Sequence, residues 1–198
     1  MKKLSKILSA LLVLILSVFT LSGCSDKEKP TATVKDFLET FKSKNYEKVY
    51  SFVNDSESIK DKLNASNAEM PDKVSKVILD KIADVKYEVT EEKIEKNKAS
   101  VKVKLEVNDI GHALTETITE YMQTALTMAF DENADEKAME KLAEEKMLDK
   151  LNGKLDKVTK DVEIKLEKKN DKWVIEPSDD LINALTGNMK ALAEAFEE

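Results

Sequence analysis

Val101, Val103, Leu105 and Val107 alternate with Lys102, Lys104 and Glu106, and no other stretch restricts the fold so tightly. Successive side chains of a strand turn to opposite faces, so the run predicts a strand with one face buried and one face charged. Val85, Tyr87 and Val89 alternate with Lys86, Glu88 and Thr90 just before it, and a turn around Asn97 joins the two as a hairpin. Val162, Ile164 and Leu166 alternate with Glu163, Lys165 and Glu167 in a third strand. Asn170-Asp171 makes a tight turn, and Trp173-Val174-Ile175 forms a fourth strand closed by Pro177.

Around these strands the apolar period lengthens to that of a helix. Val34, Phe37, Leu38 and Phe41 recur at i, i+3, i+4 and i+7, behind a Thr33-x-x-Asp36 capping box in which Asp stands for Glu. Lys42 to Asn45 interrupts, and Tyr46, Val49, Tyr50 and Val53 predict a second short helix. Pro71 suits the first position of a third, with Val74, Val77, Ile78 and Ile82 as its stripe. Residues 113–130 and 134–151 return to helical spacing between the second and third strands. The second of these ends at Asn152-Gly153, where Gly suits a left-handed position. Ser178, backed by Asp179 and Asp180, caps a last helix with the stripe Leu181, Leu185, Met189, Leu192 and Phe196.

The amino terminus reads as an address. Lys2, Lys3 and Lys6 precede an apolar run from Ile7 to Leu21, too short and wrongly flanked for a transmembrane helix and shaped like a secretory signal peptide. Its end, Leu21-Ser22-Gly23-Cys24, resembles the lipobox of bacterial lipoproteins. That resemblance implies diacylglyceryl transfer to the Cys24 sulfur and cleavage before it, making residues 1–23 a signal peptide. Two acyl chains, at about 0.8 kcal/mol per buried methylene, make a durable anchor. Residues 24–31 then form a charged tether containing Pro30, and residues 32–198 a single domain with a helical insertion at 110–153.

Cleavage would leave 175 of the 198 residues, enough for one domain with a real core. With its single cysteine lipidated, that domain has no disulfide, thiolate nucleophile or cysteine metal ligand. Losing the three leader lysines takes the formal charge from −7 to −10, which disfavours nucleic acid as a partner. All 32 basic residues are lysine, so the bidentate clamps of arginine are absent.

V-K-D-F-L and Y-E-K-V-Y on two helices, a third helix, a hairpin and a late K-N-D-K-W-V-I form a recognisable set. The combination is similar to the nuclear transport factor 2-like (cystatin-like cone) domains of uncharacterised Gram-positive lipoproteins. It covers a little over half of the mature chain, through residues 33–53, 71–107 and 160–176. The resemblance implies an α+β fold in which N-terminal helices pack across a bent antiparallel sheet, here with a helical hairpin insertion and a C-terminal helix. An unrelated layer of helices on an antiparallel sheet is the alternative. The sequence does not choose whether the inserted helices cover the sheet, plug the cone or pack as an independent hairpin.

The chemistry-bearing residues are few. His112, the only histidine, has Glu116 at i+4, a pair equally expected of a solvated helix start. Asp131, Asn133 and Asp135 open like an EF-hand loop, but Glu136 and Leu142 replace the Gly and Glu that the loop requires. Phe37, Phe41, Tyr46 and Tyr50 read as core before pocket, and Trp173 as core or a lid on the sheet edge. The Met and Ala positions of the central helices suit either packing on the sheet or an adaptable partner groove. The four glycines are isolated, so there is no phosphate loop, and no nucleophile elbow or zinc spacing appears. The expectation is therefore a membrane-anchored, non-catalytic binding module without cofactor or metal. It is held at the extracytoplasmic face of the cell membrane through Cys24 and binds an envelope protein, a peptide or a cell-wall ligand. A folding assistant for secreted proteins, or less readily a cone-fold enzyme, is the alternative.

Overall fold

The computed structural model describes residues 29–54, 71–128 and 136–194, and in them the fold is α+β. Helix α1 spans Pro30–Lys42, α2 Tyr46–Val49 with a 3-10 turn at Tyr50–Phe52, and α3 Asp72–Ile82. Strands β1 (Lys86–Glu95) and β2 (Lys98–Asn108) form the hairpin. Helices α4 (Ile110–Met128) and α5 (Glu136–Asn152) follow, then β3 (Lys157–Lys169), β4 (Lys172–Glu176), α6 (Asp179–Leu185) and α7 (Met189–Glu194). The sheet is open and antiparallel, in the order β1-β2-β3-β4.

One face of the sheet is the core. Val101, Val103, Leu105 and Val107 meet Val162, Ile164, Leu166, Trp173 and Ile175, and α1 and α6 close over them with Val34, Phe37, Leu38, Leu181 and Leu185. Each large aliphatic side chain buried there contributes roughly 1.5–3 kcal/mol. The other face carries opposite charges in register: Lys104 lies between Glu88 and Asp161, Lys102 between Glu91 and Glu163, and Lys98 between Glu95 and Glu167. A two-residue slip of β3 toward its carboxyl end would set Lys98 against Lys169, Lys102 against Lys165 and Glu106 against Asp161. The charges therefore select the register that the apolar face alone leaves open to even slips.

Among the described residues the inserted helices pack on other helices and do not cover the sheet. The base of the α4–α5 hairpin packs on α3 and α7 as a second core, of Val74, Ile110, Ala113, Leu114, Leu151 and Leu155, with Ile82 touching both cores. At the junction the buried Asn108 amide donates to the Lys81 carbonyl at 2.8 Å and to Asp84 Oδ2 at 3.3 Å.

Several boundaries differ from the sequence reading. Helix α1 begins at Pro30, inside the stretch read as tether, and its N-cap Lys29 makes no side-chain cap. The expected Thr33 capping box lies within the helix. The free Thr31 N–H donates instead to Glu92 Oε1 of β1 at 2.8 Å, a cap that no local motif encodes. The second helix stops early, since Val53 is extended and bridges Ile175 in parallel. Pro71 is the N-cap of α3, one residue before its first turn. Gly153 ends α5 through bonds from its N–H to the Asp149 and Lys150 carbonyls, without the left-handed backbone expected of it. The last helix is two: Gly187 at φ 72° and Asn188 at φ 66° break it between α6 and α7.

That break exists because backbone meets backbone. The Gly111 N–H donates to the Gly187 carbonyl at 2.9 Å. A Cβ on Gly187 would lie 2.7 Å from the Asn108 carbonyl oxygen, and one on Gly111 would lie 2.7 Å from the Asn188 carbonyl carbon. Asp109 Oδ1 accepts from the Asn188 side chain at 3.1 Å and from the His112 N–H at 3.3 Å, so one carboxylate caps α4 and holds the turn.

Candidate functional site

Helix α1 and strand β1 bound an open groove of about 530 Å³, lined by Lys35, Glu39, Lys42, Lys86, Tyr87 and Val89. Lys35, Glu39 and Lys42 share a helical face because they stand at i, i+4 and i+7. Tyr87 and Val89 share the inward face of β1 by strand alternation, and both are half-buried because α1 leaves this edge incompletely covered. The Tyr87 hydroxyl donates to Glu39, whose carboxyl it holds below the usual range. Burial first, then that hydrogen bond and the charges of Glu39 and Asp36, push the Tyr87 hydroxyl up to about 12. Lys42 Nζ lies 3.3 Å from Glu39 Oε1 and 5.5 Å from the centre of the Tyr87 ring. The trio is therefore a neutral phenol, a satisfied carboxylate and an ammonium over a ring, an arrangement suited to holding a ligand. A phenol that keeps its proton to about 12 is a poor base near neutrality. The sequence reading placed Tyr87 only as an alternating strand residue, and Glu39 gives no signal in one dimension, since the pair forms only when α1 crosses β1.

A second, more open depression lies on the hairpin, lined by Thr115, Glu116, Thr119, Glu120 and Lys150. His112 stands beside it with its side chain 60% exposed and Nε2 3.3 Å from Glu116 Oε1. Glu116 Oε2 in turn lies 2.6 Å from Lys150 Nζ, joining α4 to α5. The lysine, by hydrogen bond and then by charge, holds the Glu116 carboxyl below its ordinary value. Glu116 is thus committed to a lysine as well as to the histidine.

The remaining sequence candidates disperse. Phe37 and Phe41 are core residues, packed edge-on against Phe52 and Tyr46 with ring centres 6.3 and 5.8 Å apart. The Tyr46 hydroxyl donates to the Leu79 carbonyl at 3.3 Å, tying α2 to α3, and Trp173 is buried in the main core. Burial raises the Tyr50 hydroxyl above its usual value. Met147 packs on the second core, whereas Met122 and Leu126, farther out on α4, are 54% and 64% exposed. Cys24 and the acidic loop of Asp131, Asn133 and Asp135 lie outside the described residues. Among the described residues no cluster of three or more His, Cys, Asp or Glu is arranged to hold a metal, and no helix is long and apolar enough to cross a membrane. No protein-family description, curated protein or solved structure matches the chain.

Proposed function

We propose that this protein is a lipid-anchored binding module on the outer face of the cytoplasmic membrane, working by contact and not by catalysis. The observation that carries the reading is Leu21-Ser22-Gly23-Cys24 at the end of a short apolar leader. Acylated at Cys24, the chain has only Ser25 to Lys29 before α1, a span of at most about 20 Å. The domain would then stay close to the bilayer, where a raised local concentration makes even a weak affinity effective. We further infer a nuclear transport factor 2-like cone, a reading supported by α1 lying against β1, β2 and β4. Apart from the His112–Glu116 contact, the described ion pairs are lysine–carboxylate contacts with exposed or partly exposed side chains, a surface suited to recognition more than to acid–base chemistry.

A second reading, a folding assistant for secreted proteins, is favoured by the exposure of Met122 and Leu126 beyond the second core. Both readings are tested by crosslinking the full chain in intact cells, with Cys24→Ala in parallel. The anchored binding module predicts discrete captured partners and an acylated, membrane-retained chain that Cys24→Ala abolishes. Unchanged processing and retention of Cys24→Ala would refute the anchor. A broad spread of captured secreted proteins, lost in Leu126→Asp, would favour the folding assistant.

A further inference from the structure

The two edges of the sheet are treated differently by the chain. The β4 edge is closed: Val53 bridges Ile175, and the Asn54 N–H donates to the Ile175 carbonyl at 2.8 Å. Among the described residues β1 pairs only with β2, and no backbone bond reaches its outer side. An edge strand of ten residues turns a row of N–H and C=O groups outward, ready for another strand. Ile94, on this edge, is 52% exposed.

Strand β1 is its own antiparallel complement. Laid against a second copy with residues 90 and 91 at the centre, Lys86 meets Glu95, Tyr87 meets Ile94, Glu88 meets Lys93 and Val89 meets Glu92. In a regular strand this register fails, because Tyr87 and Ile94 would turn to opposite faces, as would Glu88 and Lys93. The bulge between Val89 and Glu91 supplies the extra residue that corrects it. Before the bulge Tyr87 and Val89 pair with Leu105 and Val103, and after it Glu92 and Ile94 pair with Val101 and Ala99, so all four share the core face. Lys86, Glu88, Glu91, Lys93 and Glu95 share the outer face. An irregularity that spoils pairing with a straight strand therefore fits a second strand bulged at the same place.

We infer that β1 joins β1 of a second copy of this chain, antiparallel about a two-fold axis perpendicular to the sheet, making one eight-stranded sheet from two of four. The outer-face charges then alternate across the junction as they do within the sheet. One row runs Glu106–Lys86 in the first copy, where the two lie 2.9 Å apart, and on through Glu95, Lys98 and Glu167 of the second. Another runs Asp161–Lys104–Glu88 and on to Lys93 of the second copy. Glu88 and Glu95 form no ion pair among the described residues, so each gains its lysine without giving one up. Glu91, beside the axis, faces its own copy already paired with Lys93 at 3.1 Å and Lys102 at 2.7 Å. On the core face the exposed Ile94 covers the half-buried Tyr87, an aromatic–aliphatic pair made twice. Self-association goes beyond the anchored binding module and does not depend on it.

The test uses the full chain in detergent solution, with micelles in large excess over protein, and sedimentation over a concentration series. The wild type is expected to dimerise, and amide hydrogen exchange at residues 86–95 to slow as protein concentration rises. Glu88→Lys sets a lysine against Lys93 at two places in the dimer, and Lys93→Glu sets a glutamate against Glu88 at two places. Each variant alone should therefore dimerise about tenfold more weakly. Mixed in equal amounts, the two variants restore both opposite-charge pairs and should form a heterodimer within about threefold of the wild-type affinity. A wild type that stays monomeric, a dimer whose 86–95 amides gain no protection, or a mixture that associates no better than its components would each overturn the inference. The first two outcomes are read on the unmodified chain, so a variant that fails to fold leaves them decisive.

Discussion

Replacing Gly111 with alanine should separate the two cores. Gly111 stands in the first turn of α4 and faces the α6–α7 turn with no room for a side chain. Its new Cβ would stand 2.7 Å from the Asn188 carbonyl carbon and 3.2 Å from Met189 Cα, so rigid backbone must move. Overpacking of this kind costs about 1–3 kcal/mol. Displacing the Gly111 N–H from the Gly187 carbonyl adds about 1 kcal/mol. The better helix propensity of alanine returns at most about 1 kcal/mol. The net loss is about 1–3 kcal/mol, or about 2–12 °C in Tm for a domain of this size. Gly153→Ala is the control, because its nearest approach is 3.2 Å to the Lys150 carbonyl oxygen and its own loss should stay within about 1 kcal/mol. Urea denaturation measures both, and hydrogen exchange locates the damage. In Gly111→Ala, α7 and the first turn of α4 should lose protection while β2 and β3 keep it. A Gly111→Ala protein as stable as Gly153→Ala would refute the argument that backbone contact sets this junction.

Tyrosinate absorbance should show one tyrosine ionising last, at about 12, and Tyr87→Phe should remove that step. The folded-state value lies above the ordinary one, so the stabilisation is complete below about pH 10 and is lost as pH rises from there through 12. Urea midpoints of the wild type should therefore fall more steeply over that window than those of Tyr87→Phe. Glu92→Ala, which uncaps the Thr31 N–H, should cost about 1 kcal/mol in urea unfolding and loosen the first turn of α1, whereas Thr33→Ala should not remove a cap. Lys102→Glu, set between Glu91 and Glu163, should lower the urea midpoint at low salt and recover part of the loss at high salt. A loss independent of salt would show that the outer-face charges do not guard the register.

The strands were legible because alternation is a local property: β2 and β3 each carry their apolar face in every second residue, and the turn at Asn170-Asp171 carries its own backbone signal in φ 48° and 62°. The strands nevertheless run longer than their apolar runs, since pairing carries β1 to Glu95 and β3 back to Lys157, where side chains are charged or exposed. Continuous apolar spacing from Leu181 to Phe196 suggested one helix, and a contact with α4 divided it. The groove was illegible for the same reason. Tyr87 and Glu39 are 48 residues apart in the chain, and nothing near either one announces the other.

By itself, then, the sequence determined which segments alternate, which wind, and which face of each is apolar, because those follow from neighbours a few residues apart. Whether the inserted hairpin would lie on the sheet or beside it, which carboxylate would cap α1, and where a phenol would meet a glutamate were decided only by tertiary contact. Each of these depends on surfaces that do not exist until distant segments pack: the backbone meeting at Gly111 and Gly187, and the crossing of α1 over β1.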